Sequence, residues 1–343
     1  MRFTLSGTNI QVLTFNLESI VASELEIVRK YYSRNKTNRL AYPIIYNINM
    51  KKIIASIILV LIVTVQLTAQ DKQPYTITGT ETYIINSTIN QRVYNLAVSL
   101  PNNYDKSKKY PTYYILDGYY AFPFIAESNK TMGSWTLGNL IEDVIIISIT
   151  GKEKDLDDWL CQRWPDYTFT QSFNYDTLGA KDWHSPIPII SGKGDAFLEV
   201  IRKEIIPLID KNYSTNQERG ISGHSLSGLY VANLIFKAND IFSKFGINSP
   251  WMLPYNDNDV RLVEKEYSKS HHSLNAKVFL SFGSLEVKEE IKDLYEFEAL
   301  LKKYNGVETK LVIFDDETHV SVIPAMISRS LRYLYNKQKG SSN

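Results

Sequence analysis

The stretch ISGHSLSGLY, residues 221–230, decides how the rest of the chain is read. Gly223 and Ser225 match the first half of the turn G-x-S-x-G, in which a serine sits on a sharp bend between a strand and a helix. Ser227 stands where the second glycine of that pattern belongs, and Gly228 follows one residue later. Behind the turn, LSGLYVANLIFKA carries apolar residues at helical spacing. Such a bend leaves little room for side chains. Ser227 is therefore expected to add slight packing strain, and Ser227→Gly to change activity only a few-fold.

Short, solidly apolar runs flank this turn: TYYIL (112–116), VIIISI (144–149), FGINS (245–249), KVFLSF (277–282) and KLVIF (310–314). Unbroken runs of that length suit strands buried on both faces of a parallel sheet. Between them lie helical patterns. AFLEVIRKEIIPLIDKNY has Pro207 as an expected kink or end, and EIKDLYEFEALLKKYNG has Gly306 as an expected stop. Upstream, YTITGTETYIINSTI and QRVYNLAVSLP alternate and are bounded by turn residues, an antiparallel entry to the sheet. The order predicts an α/β fold, a mostly parallel central sheet with helices on both faces, in one domain over 75–338. The aromatic, weakly periodic stretch 152–191 is the expected lid or insertion.

Residues 50–70, MKKIIASIILVLIVTVQLTAQ, have the layout of a secretory signal peptide: two lysines, an apolar core and a small residue at Ala69. Residues 1–49 then read as a mis-called upstream extension. In the other reading they are a basic cytoplasmic tail held by an uncleaved anchor, and only then, with segment 53–69 uncleaved, is the protein membrane-bound. Either way the remainder is exported, to the periplasm or the medium of a bacterium. The whole chain carries +1, from 38 Lys/Arg and 37 Asp/Glu. Residues 1–70 hold eight basic and three acidic residues, so the remainder is −4, with no basic run to attract nucleic acid. Cys161 is the single cysteine, which excludes an intrachain disulfide. No zinc, EF-hand or phosphate-loop signature occurs, and Asp257 and Asp259 lack the glycine and glutamate of a calcium loop. No metal and no cofactor are expected.

A nucleophilic serine needs a base to take its proton, and the base needs a group to hold its tautomer. In an α/β hydrolase these follow in the order Ser, Asp/Glu, His, each past the carboxyl end of a strand. Of five histidines, His184 precedes the serine and His224 adjoins it. His271 and His272 come before a strand. His319, a few residues after KLVIF, alone satisfies the order. The acid is expected at Glu286, just past KVFLSF, with Asp315 or Asp316 as the alternative and a Ser-His dyad left open. An oxyanion site needs two backbone N–H groups. Leu226 offers one, and Tyr119 or Tyr120, after the strand and the turn Asp117-Gly118, the other. The two tyrosines would also wall the pocket.

Five phrases in order resemble the esterase family of α/β-hydrolases that includes siderophore esterases, esterase D, feruloyl esterases and mycolyltransferases. YPTYYILDGYY is similar to its YP-x-LY-x-LDG phrase, and RWPDYTF to R-x-x-DYTP, with Phe169 for proline. SGKGDAFLEVIRKEIIPLIDKNY, GHSLSGLY and DDETHVSVIP match the remaining three, the siderophore-esterase branch being nearest. The resemblance implies an α/β-hydrolase fold and a serine carboxylic-ester hydrolase that forms an acyl-enzyme on Ser225, with His319 and Glu286 in support. It implies Arg163 and Asp166 near the pocket, where Trp251 would stack an aromatic ring. The substrate it implies is a small-molecule ester such as a siderophore lactone, or a glycan-linked feruloyl or acetyl ester. Transfer of the acyl group to another alcohol, and a non-catalytic binding protein of the same fold, are the alternatives.

Overall fold

The computed structural model describes residues 74–135, 138–173, 176–177, 189–251 and 260–337, with positions 22–23, 26, 29–30, 33–34 and 54–55 before them. The chain divides into two units, Met1–Tyr75 and Thr76–Asn343. In the first, the described positions up to Ala55 are helical, and Glu26 pairs with Lys30 at 2.9 Å. Apart from Ile54 and Ala55, the apolar run expected over 53–69 lies outside the described residues, as do Asp257, Asp259 and His184. Among the described residues no helix is long and apolar enough to cross a membrane.

The second unit holds an eight-stranded sheet: β1 (Thr80–Asn86), β2 (Val93–Ser99), β3 (Tyr110–Ile115), β4 (Ile145–Gly151), β5 (Thr215–His224), β6 (Lys244–Asn248), β7 (Ser273–Gly283) and β8 (Asn305–Phe314). Their spatial order is β1-β2-β4-β3-β5-β6-β7-β8. β1, β2 and β4 pair antiparallel, and every pairing from β4 through β8 is parallel. Parallel neighbours need crossovers, and helices supply them. They are α1 (Gly118–Met132), α2 (Leu156–Gln162), α3 (Trp164–Tyr167), α4 (Gly194–Val200), α5 (Ile206–Asn212), α6 (Leu226–Lys237), α7 (Val260–Tyr267) and α8 (Lys288–Leu301), while α9 (Ile323–Leu334) follows the last strand.

Alternation along the central strands fills two layers. Tyr113, Ile115 and Ile146 pack on one face with Ile125 of α1 and Met326 and Leu331 of α9. Tyr114, Leu116, Ile147 and Ile149 pack on the other with Phe197, Ile201, Tyr230 and Leu234. This is why those runs are apolar at every position. The carboxyl ends of β3, β5, β7 and β8 fall along one edge, where an open parallel sheet binds its ligands.

Two local expectations change. The segment around Pro207 neither ends nor sharply breaks; a π-helical turn, Ile201–Ile205, joins α4 to α5 and widens the coil just ahead of the residue that lacks an N–H. α8 stops at Leu301, and Gly306, at φ 88°, instead opens β8. In the described part of 152–191, Trp164 and Tyr167 join the core beside the sheet, and Trp159 packs against Tyr119 and Tyr120. Ile147 is wholly buried mid-sheet, so Ile147→Ala is expected to lower stability by about 2–5 kcal/mol, read from the urea midpoint at unchanged slope.

Candidate active site

The site is built from the turn at the end of β5. Ser225 has φ 62° and ψ −121°, a conformation that costs a non-glycine residue about 1–3 kcal/mol. Several contacts hold it there. Ser225 N–H donates to the Asn248 carbonyl at 3.1 Å, while the Ser225 carbonyl accepts from Leu229 N–H at 3.0 Å and Trp251 N–H at 3.1 Å. The closeness of the bend is measured at Gly223, where a Cβ would come within 2.4 Å of the Ser227 carbonyl oxygen and 2.5 Å of its carbon. Beneath it, the buried Asn248 amide donates to Ser222 Oγ at 3.0 Å, and its oxygen accepts from Ser281 Oγ at 2.9 Å. That chain of bonds ties β5, β6 and β7 together at their carboxyl ends.

Past β7, Glu286 uses both oxygens. Oε1 accepts from Gly283 N–H at 2.6 Å and Ser249 Oγ at 2.7 Å; Oε2 meets His319 Nδ1 at 2.5 Å. The carboxylate is acceptor only, so Nδ1 carries the proton and Nε2 keeps its lone pair. Asp315 and Asp316 are exposed, and the carboxyl beside His319 is that of Glu286. His319 in turn is held by His224. The His319 carbonyl can only accept, so His224 Nε2–H donates to it at 2.9 Å, and Tyr120 OH donates to His224 Nδ1 at 3.0 Å. His224 thus packs behind the turn and tethers the loop of its fellow histidine.

Ser225, Leu226, Arg163, Trp164, Trp251, Glu286, Glu290, Thr318 and His319 line one cleft of about 500 Å³. Leu226 opens α6, whose first N–H groups have no intrahelical acceptor. Trp164 and Trp251 lie 5.6 Å apart at 55°, an aromatic wall. Burial pushes the Glu290 carboxyl up, and the Glu286 charge adds to this against the pull of His319. Burial also raises the Asp117 carboxyl, although Arg163 Nη1 donates to its Oδ2 at 2.8 Å.

Not every expected residue joins the cleft. Asp166 faces the other way, into the core beside β2, where Tyr94 OH donates to its Oδ2 at 3.0 Å and Arg92 Nε lies 3.3 Å off. Burial lifts its carboxyl to about 6. Asp166 and Arg163 are therefore not partners; each pairs with a residue distant in sequence. Neither Tyr119 nor Tyr120 walls the cleft: Tyr119 is exposed and stacks on Trp159, and the Tyr120 hydroxyl is spent on His224. Phe169 stacks on Tyr230 at 5.0 Å. Ser249 and the side chain of Asp117 carried no motif of their own, and Ser227 was read only as bulk.

This arrangement defines an α/β-hydrolase. Residues 87–313 match the model of the esterase family, described as "Putative esterase". The chain belongs to that family and is a carboxylic ester hydrolase. It is 27% identical over 275 residues to the ferri-bacillibactin esterase BesA of Bacillus subtilis, covering 76% of this chain and 90% of that protein. The crystal structure of the BES protein from Bacillus cereus superposes with a TM-score of 0.68 at 23% identity, over 79% of this chain and 100% of that one. The siderophore hydrolase EstB from Aspergillus nidulans gives 0.62 at 17%, over 77% and 98%.

Burial, with the charges of His319 and Arg163, pushes the His224 ring well below the ordinary imidazole range. The folded protein therefore keeps His224 neutral where the unfolded chain takes up a proton, below about pH 6.5. The stability this contributes is complete above that pH and is lost as pH falls. Between pH 7 and 5, urea denaturation is expected to show wild-type stability falling more steeply than that of His224→Gln, by up to about 1.4 kcal/mol per pH unit.

Proposed function

We propose that the chain cleaves siderophore-type esters through an acyl-enzyme on Ser225. The observation that carries this reading is the 2.5 Å bond between His319 Nδ1 and Glu286 Oε2, lining the same cleft as the strained Ser225. His319 Nε2 takes the Ser225 proton as Oγ attacks the ester carbonyl. The bond to Glu286 holds the ring in the tautomer that can do so and stabilises the imidazolium that forms. The carbonyl oxygen becomes an anion, met by the Leu226 N–H at the positive end of α6 and by the N–H of Tyr119 or Tyr120 after β3. His319 then protonates the leaving alcohol, and water, activated by the same ring, releases the acid.

For the substrate, the support is the function named for the Bacillus subtilis relative together with the cleft's chemistry. Trp251, with Trp164 packed against it, offers a surface for aromatic rings, and Arg163 a partly neutralised cation beside it. A ferric or iron-free siderophore with aromatic ligand groups and ester links suits both. Export is part of the same reading, on the strength of the signal-type segment 50–70.

Ser225→Ala is expected to abolish both labelling by a fluorophosphonate and ester turnover. Glu286→Gln should keep the label while lowering kcat about 10³–10⁴-fold. A wild-type protein that resists the probe would sink the mechanism. In a panel of ferric siderophores, feruloylated sugars and simple acyl esters, the siderophore should show the highest kcat/KM. N-terminal sequencing of protein recovered outside the cytoplasm is expected to begin just after Ala69.

A further inference from the structure

Ser227, two residues after Ser225, is wholly buried, and its hydroxyl touches both turns that frame the cleft. On the β5 side, Oγ accepts from His224 N–H at 2.8 Å and lies 2.9 Å from the His224 carbonyl. On the β3 side it lies 2.5 Å from Asp117 Oδ2. A hydroxyl has one proton to give, and the shorter, charge-assisted bond to a carboxylate claims it. One oxygen thus accepts from the nucleophile turn and donates to the residue that turns the chain after β3.

Asp117 is itself held under constraint. It sits at φ 54°, unusual for a residue with a side chain, as the cap of α1. Its N–H donates to Tyr167 OH at 3.1 Å, and its Oδ2 also accepts from Arg163 Nη1 at 2.8 Å. The next residue, Gly118, leaves no latitude: a Cβ there would lie 1.8 Å from Ser148 Oγ. A glycine in place of Ser227 would leave the His224 N–H without this acceptor and Asp117 Oδ2 with Arg163 alone. The bland reading of Ser227, a small side chain tolerated in a bend, does not account for a hydroxyl engaged on both sides.

We infer that Ser227 is a positioning residue for ester cleavage: through Asp117 it locks the β3–α1 turn onto the nucleophile turn and so sets the spacing of the two backbone N–H groups that receive the oxyanion. This rests on the reading of Ser225 as nucleophile. The oxyanion develops only as the ester carbonyl is attacked, so loss of this spacing falls on the transition state and leaves ground-state binding alone.

The test uses the full chain with Ser227→Ala, Ser227→Cys, Asp117→Asn and the Ser227→Ala/Asp117→Asn double variant. Ser227→Ala is expected to lower kcat on a p-nitrophenyl ester about 10–100-fold with KM within about threefold. A trifluoromethyl ketone, whose adduct carries the oxyanion, should lose affinity by a matching factor. The double variant should lose no more than the worse single one, as residues acting as one unit do. Ser227→Cys keeps a side chain in the space but is a weak donor and acceptor; it should fall between wild type and Ser227→Ala, and it decides the matter if the alanine variant does not fold. Wild-type kcat and ketone affinity in Ser227→Ala or Ser227→Cys would overturn the proposal, as would fully additive losses in the double variant. Failure of the nucleophile reading looks different: turnover would survive Ser225→Ala.

Discussion

The left-handed backbone of Ser225 is the constraint from which the rest of the site follows. A strand buried on both faces must reverse into a helix within one residue, and the only way to do so leaves the side chain of that residue at the sheet's edge and its φ positive. Such a bend does not persist unaided. Asn248 from the end of β6, the first turn of α6 and the N–H of Trp251 all grip its backbone. Gly223 must be bare because the Ser227 carbonyl occupies the space a Cβ would need. Strain in one residue is distributed over contacts from three elements.

Around this bend the buried polar groups form connected sets. Ser222, Asn248 and Ser281 link three strands; Ser249, Glu286 and His319 link the loops beyond β6, β7 and β8; Tyr120 and His224 reach the same His319 loop from the other side. Low local dielectric strengthens each bond and penalises any broken one, so these sets fix geometry as much as they stabilise. Asp117 with Arg163 takes two charges out of water; Ser227 and the face of Trp159 add contacts, while Asp117 Oδ1 and Arg163 Nε have no hydrogen bond among the described residues.

The fold was legible because its information is local and periodic. Five of the parallel strands' apolar runs, the antiparallel entry and α6 could be read directly. β5 was visible only through its turn, since TNQERG begins it with polar residues at the solvent end. α1 was hidden by Pro123 and by aromatic residues of low helical preference. Within the site, the turn motif pointed to Ser225 and chain order to His319, while Glu286 was preferred with Asp315, Asp316 and an acid-free dyad left open. What order cannot encode is direction. Arg163 and Asp166 are three residues apart yet diverge, one towards Asp117 and the cleft, the other towards Arg92 and the core. Ser227 was undervalued for the same reason: its partner, Asp117, is brought to it only by the pairing of β3 with β5.

The spread of the site over β5, β7 and β8 has a bearing on when the chain becomes an enzyme. Together with β6, which lies between β5 and β7, these strands form one end of the sheet order, and the loop bearing His319 comes after the last of them. Contacts between groups so far apart in sequence form late, after the loops between them have been closed. A chain still emerging, or one clipped behind β7, would carry the Ser225 turn without the His319 loop. On the mechanism proposed above, the active arrangement forms only once folding has reached the final strand, and an incomplete chain lacks the base with which to attack an ester.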